Sequence, residues 1–133
     1  VARPEVAARI YRAKPPYNVT GVSERLAVAA VRDRGFVART VRTIRAERPH
    51  QVRGLRALGF EAFPTDANFL AARAPMPAGE LCARLEARGI LLKDLSRLPG
   101  LSGCVRITIG PRAVNERLLR ALFALRPPRK GHA

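Results

Sequence analysis

Residues 104–109, Cys-Val-Arg-Ile-Thr-Ile, constrain the fold more tightly than any other stretch of this chain. Val105, Ile107 and Ile109 are β-branched and alternate in sequence. A strand here therefore carries them on one face and Cys104, Arg106 and Thr108 on the other. A strand with one aliphatic face needs a second layer to cover it. The flanks supply the means. Before the strand, residues 95–103 form a loop with Pro99, Gly100 and Gly103, all turn formers. After it, Gly110-Pro111 opens a helix with Pro111 suited to its first position, and Val114, Leu118, Leu122 and Leu125 line its inner side.

Upstream, the same local rules continue. Residues 60–63 read as a strand, 64–68 as a turn and Phe69–Arg73 as a second strand. A helix over residues 78–88 turns Leu81, Cys82 and Leu85 inward and stops at Gly89, after which a short strand runs to Lys93. The N-terminal half is helical. Residues 4–13 form a short helix that ends at Lys14-Pro15-Pro16, because prolines remove donors and forbid continuation. Asn18 or Thr20 can cap the Ala-rich helix that follows over residues 21–34. Gly35 is expected to interrupt it. A second helix then covers residues 36–58, with Val37, Val41, Ile44, Val52, Leu55 and Leu58 near a helical period. Pro49 should kink this helix or split it at Arg48, and Gly59 should cap it. The order is helices, then β-β-α-β-β-α, which predicts an α+β fold with helices packed on a small, mostly antiparallel sheet.

Composition excludes several classes of function. Hydrophobic residues at 47% and charged residues at 26% describe a globular chain and not a disordered one. No apolar run approaches the roughly 18–20 residues of a membrane span. Arg3, Glu5 and Arg9 interrupt the N-terminal apolar positions, so nothing there resembles a signal peptide. Cys82 and Cys104 fit a reduced, cytoplasmic protein. With His50 and His132 at irregular spacing they make a poor metal site, and none is expected. The net charge of +15 invites a nucleic-acid reading, the alternative functional class. Against it, the only lysines are Lys14, Lys93 and Lys130, and the arginines are scattered instead of clustered among aromatics.

Arg106 is the position that speaks to function. Alternation projects it from mid-strand away from the aliphatic face. A solvent-facing arginine on a half-exposed sheet fits that placement as well as an anion clamp does. The clamp reading has a physical basis, since a guanidinium on a rigid strand meets a carboxylate or phosphate through two parallel hydrogen bonds.

Four blocks, in order, give these residues a context. Gly89-Ile90-Leu91-Leu92-Lys93-Asp94 leads through a loop to Val105-Arg106-Ile107-Thr108-Ile109-Gly110. Ahead of them stand Lys14-Pro15-Pro16-Tyr17-Asn18-Val19 and Pro64-Thr65-Asp66-Ala67-Asn68-Phe69-Leu70, and Asn115-Glu116-Arg117-Leu118-Leu119-Arg120-Ala121-Leu122 follows within the closing helix. Over residues 1–126 this pattern resembles the C-terminal part of histidinol-phosphate aminotransferases and their fold-type-I, pyridoxal-phosphate-dependent relatives. The resemblance implies residues 1–20 as the end of the large-domain region and interdomain link, 21–126 as the small C-terminal α+β domain, and 127–133 as a tail. It implies that Arg106 binds the anionic end of the substrate, an amino acid or amino-alcohol phosphate. Lys93 stands where the family often has a second arginine; a lysine offers a point charge without the bidentate fork, and a snorkelling surface lysine fits as well. Asn68 matches the family's asparagine of the substrate region, and a turn-forming role competes there.

In that family a lysine within an S-K-x-x-x-x-x-G-x-R stretch holds the cofactor as a Schiff base. None of Lys14, Lys93 or Lys130 has that context. The resemblance therefore implies a domain without catalytic or cofactor-binding residues of its own, inactive alone and binding no pyridoxal phosphate by itself. It implies a missing N-terminal large domain as partner and a homodimer as the family's assembly. Threonine-phosphate decarboxylases share the C-terminal arginine, and the residues deciding between the two reactions lie upstream.

Overall fold

The computed structural model describes residues 2–13 and 19–126. The Lys14-Pro15-Pro16 link and the expected tail lie outside the described residues. The chain divides into two compact units between Ala38 and Arg39.

The first unit contains α1 (Pro4–Ala13) and α2 (Gly21–Arg32). Thr20, in an extended conformation, caps α2 by accepting the Ser23 amide at 3.2 Å. Neither helix has a buried residue, although Ile10, Val22, Leu26 and Val31 are large and apolar. The break after α2 falls at Asp33 and not at Gly35, which lies inside α3 (Arg34–Ala57). The reason is hydrogen-bond accounting. Asp33 returns its own N–H to the Ala29 and Ala30 carbonyls, both at 3.2 Å, and its carboxylate accepts the Phe36 amide at 2.9 Å. One residue thus ends one helix and caps the next, whereas glycine is merely tolerated in the first turn at a cost of ~1 kcal/mol.

The helix also runs unbroken through Pro49 instead of splitting at Arg48. Proline removes one intrahelical bond at a cost of about 3 kcal/mol. Contacts on both sides of it compensate. Ile44, Val52 and Leu55 pack on the core, and Glu47, Arg48 and Gln51 form hydrogen bonds outside the helix. Val37 and Val41, from the same expected apolar stripe, are exposed.

The second unit has a four-stranded sheet: β1 (Glu61–Ala62), β2 (Phe69–Arg73), β3 (Lys93–Asp94) and β4 (Cys104–Thr108). The spatial order is β1-β2-β4-β3 and every neighbour pair is antiparallel. One sheet face meets the helices: Leu70, Ala72, Val105 and Ile107 cluster with Leu55 of α3, Leu81 and Leu85 of α4 (Ala78–Glu86), and Leu118 and Leu122 of α5 (Arg112–Ala124). This is the α+β arrangement expected from the order of elements. Gly59 and Gly89, at φ +86° and +69°, end α3 and α4 by the same reversal. In each, the following amide reaches back to a helix carbonyl, Phe60 N–H to Leu55 and Ile90 N–H to Leu85, both at 3.0 Å. No helix among the described residues is long and apolar enough to cross a membrane.

Two further burial expectations change. Val114 is exposed, and Asn115 is buried in its place, in register with Leu118, Leu122 and Leu125. Its amide is fully occupied by hydrogen bonds, which removes the penalty for burying it. Cys104 is buried although alternation sets it on the outer face. Its thiol donates to the Ser102 carbonyl of the loop ahead of β4 at 3.7 Å.

Candidate anion-binding site

The outer sheet face carries the candidate site. Antiparallel register sets Lys93 of β3 directly opposite Arg106 of β4, with Ala71 of β2 next in the row. Directly opposed residues share a face, and both cations are exposed. The Arg106 guanidinium lies 5.6 Å from the Phe69 ring centroid, so the ring supports it from β2. Among the described residues, neither Arg106 nor Lys93 pairs with a carboxylate. Like charges directly opposed across a strand pair are destabilising by roughly 0.2–1 kcal/mol. An anion bridging them reverses the sign and gains charge-assisted hydrogen bonds.

The structure thus brings two of the three sequence-derived residues together. Asn68 stands apart from their row, just beyond β2, where its carbonyl accepts the Ile109 amide at 2.9 Å and extends the β2–β4 ladder. Its side chain is exposed and forms no hydrogen bond among the described residues.

Behind this face lies a polar cluster absent from the sequence reading. Glu47 accepts from Arg112 Nε through both carboxylate oxygens, each at 3.0 Å, and from Asn115 Nδ2 at 3.1 Å. His50 Nδ1 lies 3.3 Å from Arg112 Nη1. Burial pushes the Glu47 carboxyl up. The Asn115 and Arg112 hydrogen bonds, with the charges of Arg112 and His50, outweigh it and hold the group below its ordinary value. One signal was present in the sequence: Glu47, Gln51 and Leu55 repeat every four residues, so the two polar side chains share the stripe of a core leucine.

Lys93 is the one lysine among the described residues, and it belongs to the pair with Arg106. The carboxylate on this face, Glu61, is held by Arg73 at 3.1 Å. The chemistry these residues can perform is anion binding and orientation.

Comparison with known proteins gives the site a setting. Residues 1–122 match the family model described as aminotransferase class I and II. The chain is 36% identical over 123 residues to the histidinol-phosphate aminotransferase of Anaeromyxobacter sp. (strain Fw109-5), covering 92% of this chain and 34% of that protein. The crystal structure of the histidinol-phosphate aminotransferase from Clostridium acetobutylicum superposes with a TM-score of 0.73 at 26% identity, covering 92% of this chain and 38% of that one. The L-threonine-O-3-phosphate decarboxylase from Porphyromonas gingivalis gives a TM-score of 0.52 at 31% identity, over 61% of this chain and 27% of that one. The chain spans about a third of the length of the curated relatives it matches.

Proposed function

The chain belongs to the class I and II aminotransferases, and from that premise we propose that it is the substrate-binding C-terminal domain of a histidinol-phosphate aminotransferase. The reaction is transfer of the amino group of histidinol phosphate to 2-oxoglutarate, giving imidazole-acetol phosphate and glutamate in histidine biosynthesis. The observation that carries the proposal is the opposed Lys93–Arg106 pair, two cations on one strand row without a carboxylate between them. Both amino donor and amino acceptor in this reaction are anions, and a clamp of this kind aims the reacting end of each while holding the charged end.

On this reading the catalytic lysine and the pyridoxal phosphate, which acts as an electron sink, belong to an N-terminal large domain. The chain alone then binds no cofactor and is inactive. Residues 1–20 serve as the link, 21–126 as the small domain and 127–133 as a tail, in a cytoplasmic homodimer. Asn68, apart from the Lys93–Arg106 row, serves the substrate region from the turn ahead of β2.

The likeness to a threonine-phosphate decarboxylase supports a second reading with the same anion site. One assay separates the two. The complete protein, supplied with histidinol phosphate and 2-oxoglutarate, should release glutamate; carbon dioxide release from threonine phosphate, without glutamate formation, would overturn the first reading in favour of the second.

A further inference from the structure

One turn of α3 reaches three backbone points around the anion face. Arg48 Nη2 donates to the carbonyls of Asp66 and Ala67, both at 2.9 Å, fixing the turn that leads into Asn68 and β2. Gln51, fully buried, donates to the Thr108 carbonyl at 3.4 Å. Glu47 holds Asn115, which grips Gly110 from both sides: it accepts the Gly110 N–H at 2.9 Å and donates to the Gly110 carbonyl at 2.7 Å. The chain after Arg106, at Thr108 and at Gly110 just past β4, is therefore tied to two helices.

The Asn115 amide is saturated. Its two protons go to Glu47 and to the Gly110 carbonyl, and its oxygen is taken by the Gly110 amide. It occupies a core position, 1% exposed, where leucine would satisfy the helix stripe. A buried polar group gains little for stability over an apolar one, but a fully paired network fixes geometry. Gly110 also packs closely against the start of α5. A Cβ added to Gly110 would meet Val114 Cγ1 at 3.2 Å and Asn115 Oδ1 at 3.6 Å.

We infer that Glu47 and Asn115 are positioning residues for substrate binding: by locking Gly110 against α3 and α5 they set the aim of Arg106 toward the substrate anion. The inference rests on the anion-site reading. A displacement of the clamp by a fraction of its reach weakens its fork, while groups acting directly on the reacting atoms are untouched.

The test is a double-mutant cycle in the complete enzyme. Asn115→Ala should raise KM for the anionic substrates about ten-fold and leave kcat within about two-fold. The Kd of inorganic phosphate, measured by calorimetry, should rise in parallel. Glu47→Gln keeps one acceptor and should give an intermediate shift; it carries the same test if Asn115→Ala does not fold. In an Arg106→Ala background neither substitution should change KM or Kd further. Equal effects in both backgrounds would mean a structural role only and overturn the inference, as would unchanged KM and Kd in the single variants. If Arg106→Ala itself left KM and the phosphate Kd unchanged, the anion-site reading would fall, and this inference with it.

Discussion

Two arginines on the outer sheet face meet opposite fates. Arg73 of β2 donates to Glu61 at 3.1 Å and to the Ser102 carbonyl at 3.1 Å, and it lies 6.0 Å from the Phe63 ring centroid. Arg106, one strand away, faces Lys93, lies against the Phe69 ring and, among the described residues, pairs with no carboxylate. The same residue type on the same face thus serves once as a fastening and once as a charge left to meet something else. Exposure does not distinguish them, since both are exposed. Partners do. An arginine is a binding candidate where the fold surrounds it with more cation than anion.

Substitutions can break this comparison, and the largest effect is expected at Arg106. Arg106→Ala in the complete enzyme should lower kcat/KM for anionic substrates roughly ten- to several-hundred-fold, since a desolvated charge-assisted pair contributes ~1.5–3 kcal/mol. Arg106→Lys should recover part of this because the planar fork is lost and the charge kept. Thermal melting of the same variants should hardly move. A variant that melts early with normal kinetics would make Arg106 a fastening like Arg73. Lys93→Ala should cost less, about three- to ten-fold in kcat/KM, because an ammonium offers a point charge only.

Arg73→Ala sharpens the contrast from the other side. The ion pair is exposed, so stability should fall by less than about 1 kcal/mol in denaturant melts, with substrate kinetics unchanged. A rise in KM there would extend the anion site across the whole face. The smallest effect is a pH dependence at Glu47. Its carboxyl is held below the ordinary value of 4.5 in the folded state, so its stabilisation is present above the unfolded value and lost as pH falls through the folded one. Glu47→Gln should therefore weaken the fold at neutral pH, and the melting curves of variant and parent should converge in acid. Parallel curves down to pH ~3 would show that the carboxylate contributes no linked stability.

The sequence made some of this legible and hid the rest for identifiable reasons. β2, β4, α1, α4 and α5 were readable because alternation, helical period and Gly or Pro punctuation are local signals. Asp33 displaced Gly35 as the helix break because capping depends on which side chain reaches an orphan amide. Pro49 failed to divide α3 because contacts with distant strands and α5 hold the helix on both sides of it. Alternation gave the face of Arg106. It could not give Lys93 as the residue opposite, since that pairing depends on how the 95–103 loop closes. Glu47 and Asn115 were hidden for a further reason. A polar residue in an apolar stripe looks like an error of period until its hydrogen-bond partners, 68 residues apart in the chain, are seen together.

The strand order has a consequence for how this piece of chain behaves in company. Sheet margins normally offer unpaired amides and carbonyls to any passing strand, the usual route to fibrils and swapped dimers. Here both margins, β1 and β3, are two residues long, while the five-residue strands β2 and β4 lie inside. The outermost strand next to the anion face is Lys93-Asp94, charged at each position. So little margin, so strongly charged, gives a foreign strand almost nothing to zip onto. A ligand face can then stay open to solvent without the sheet beneath it becoming a template for aggregation.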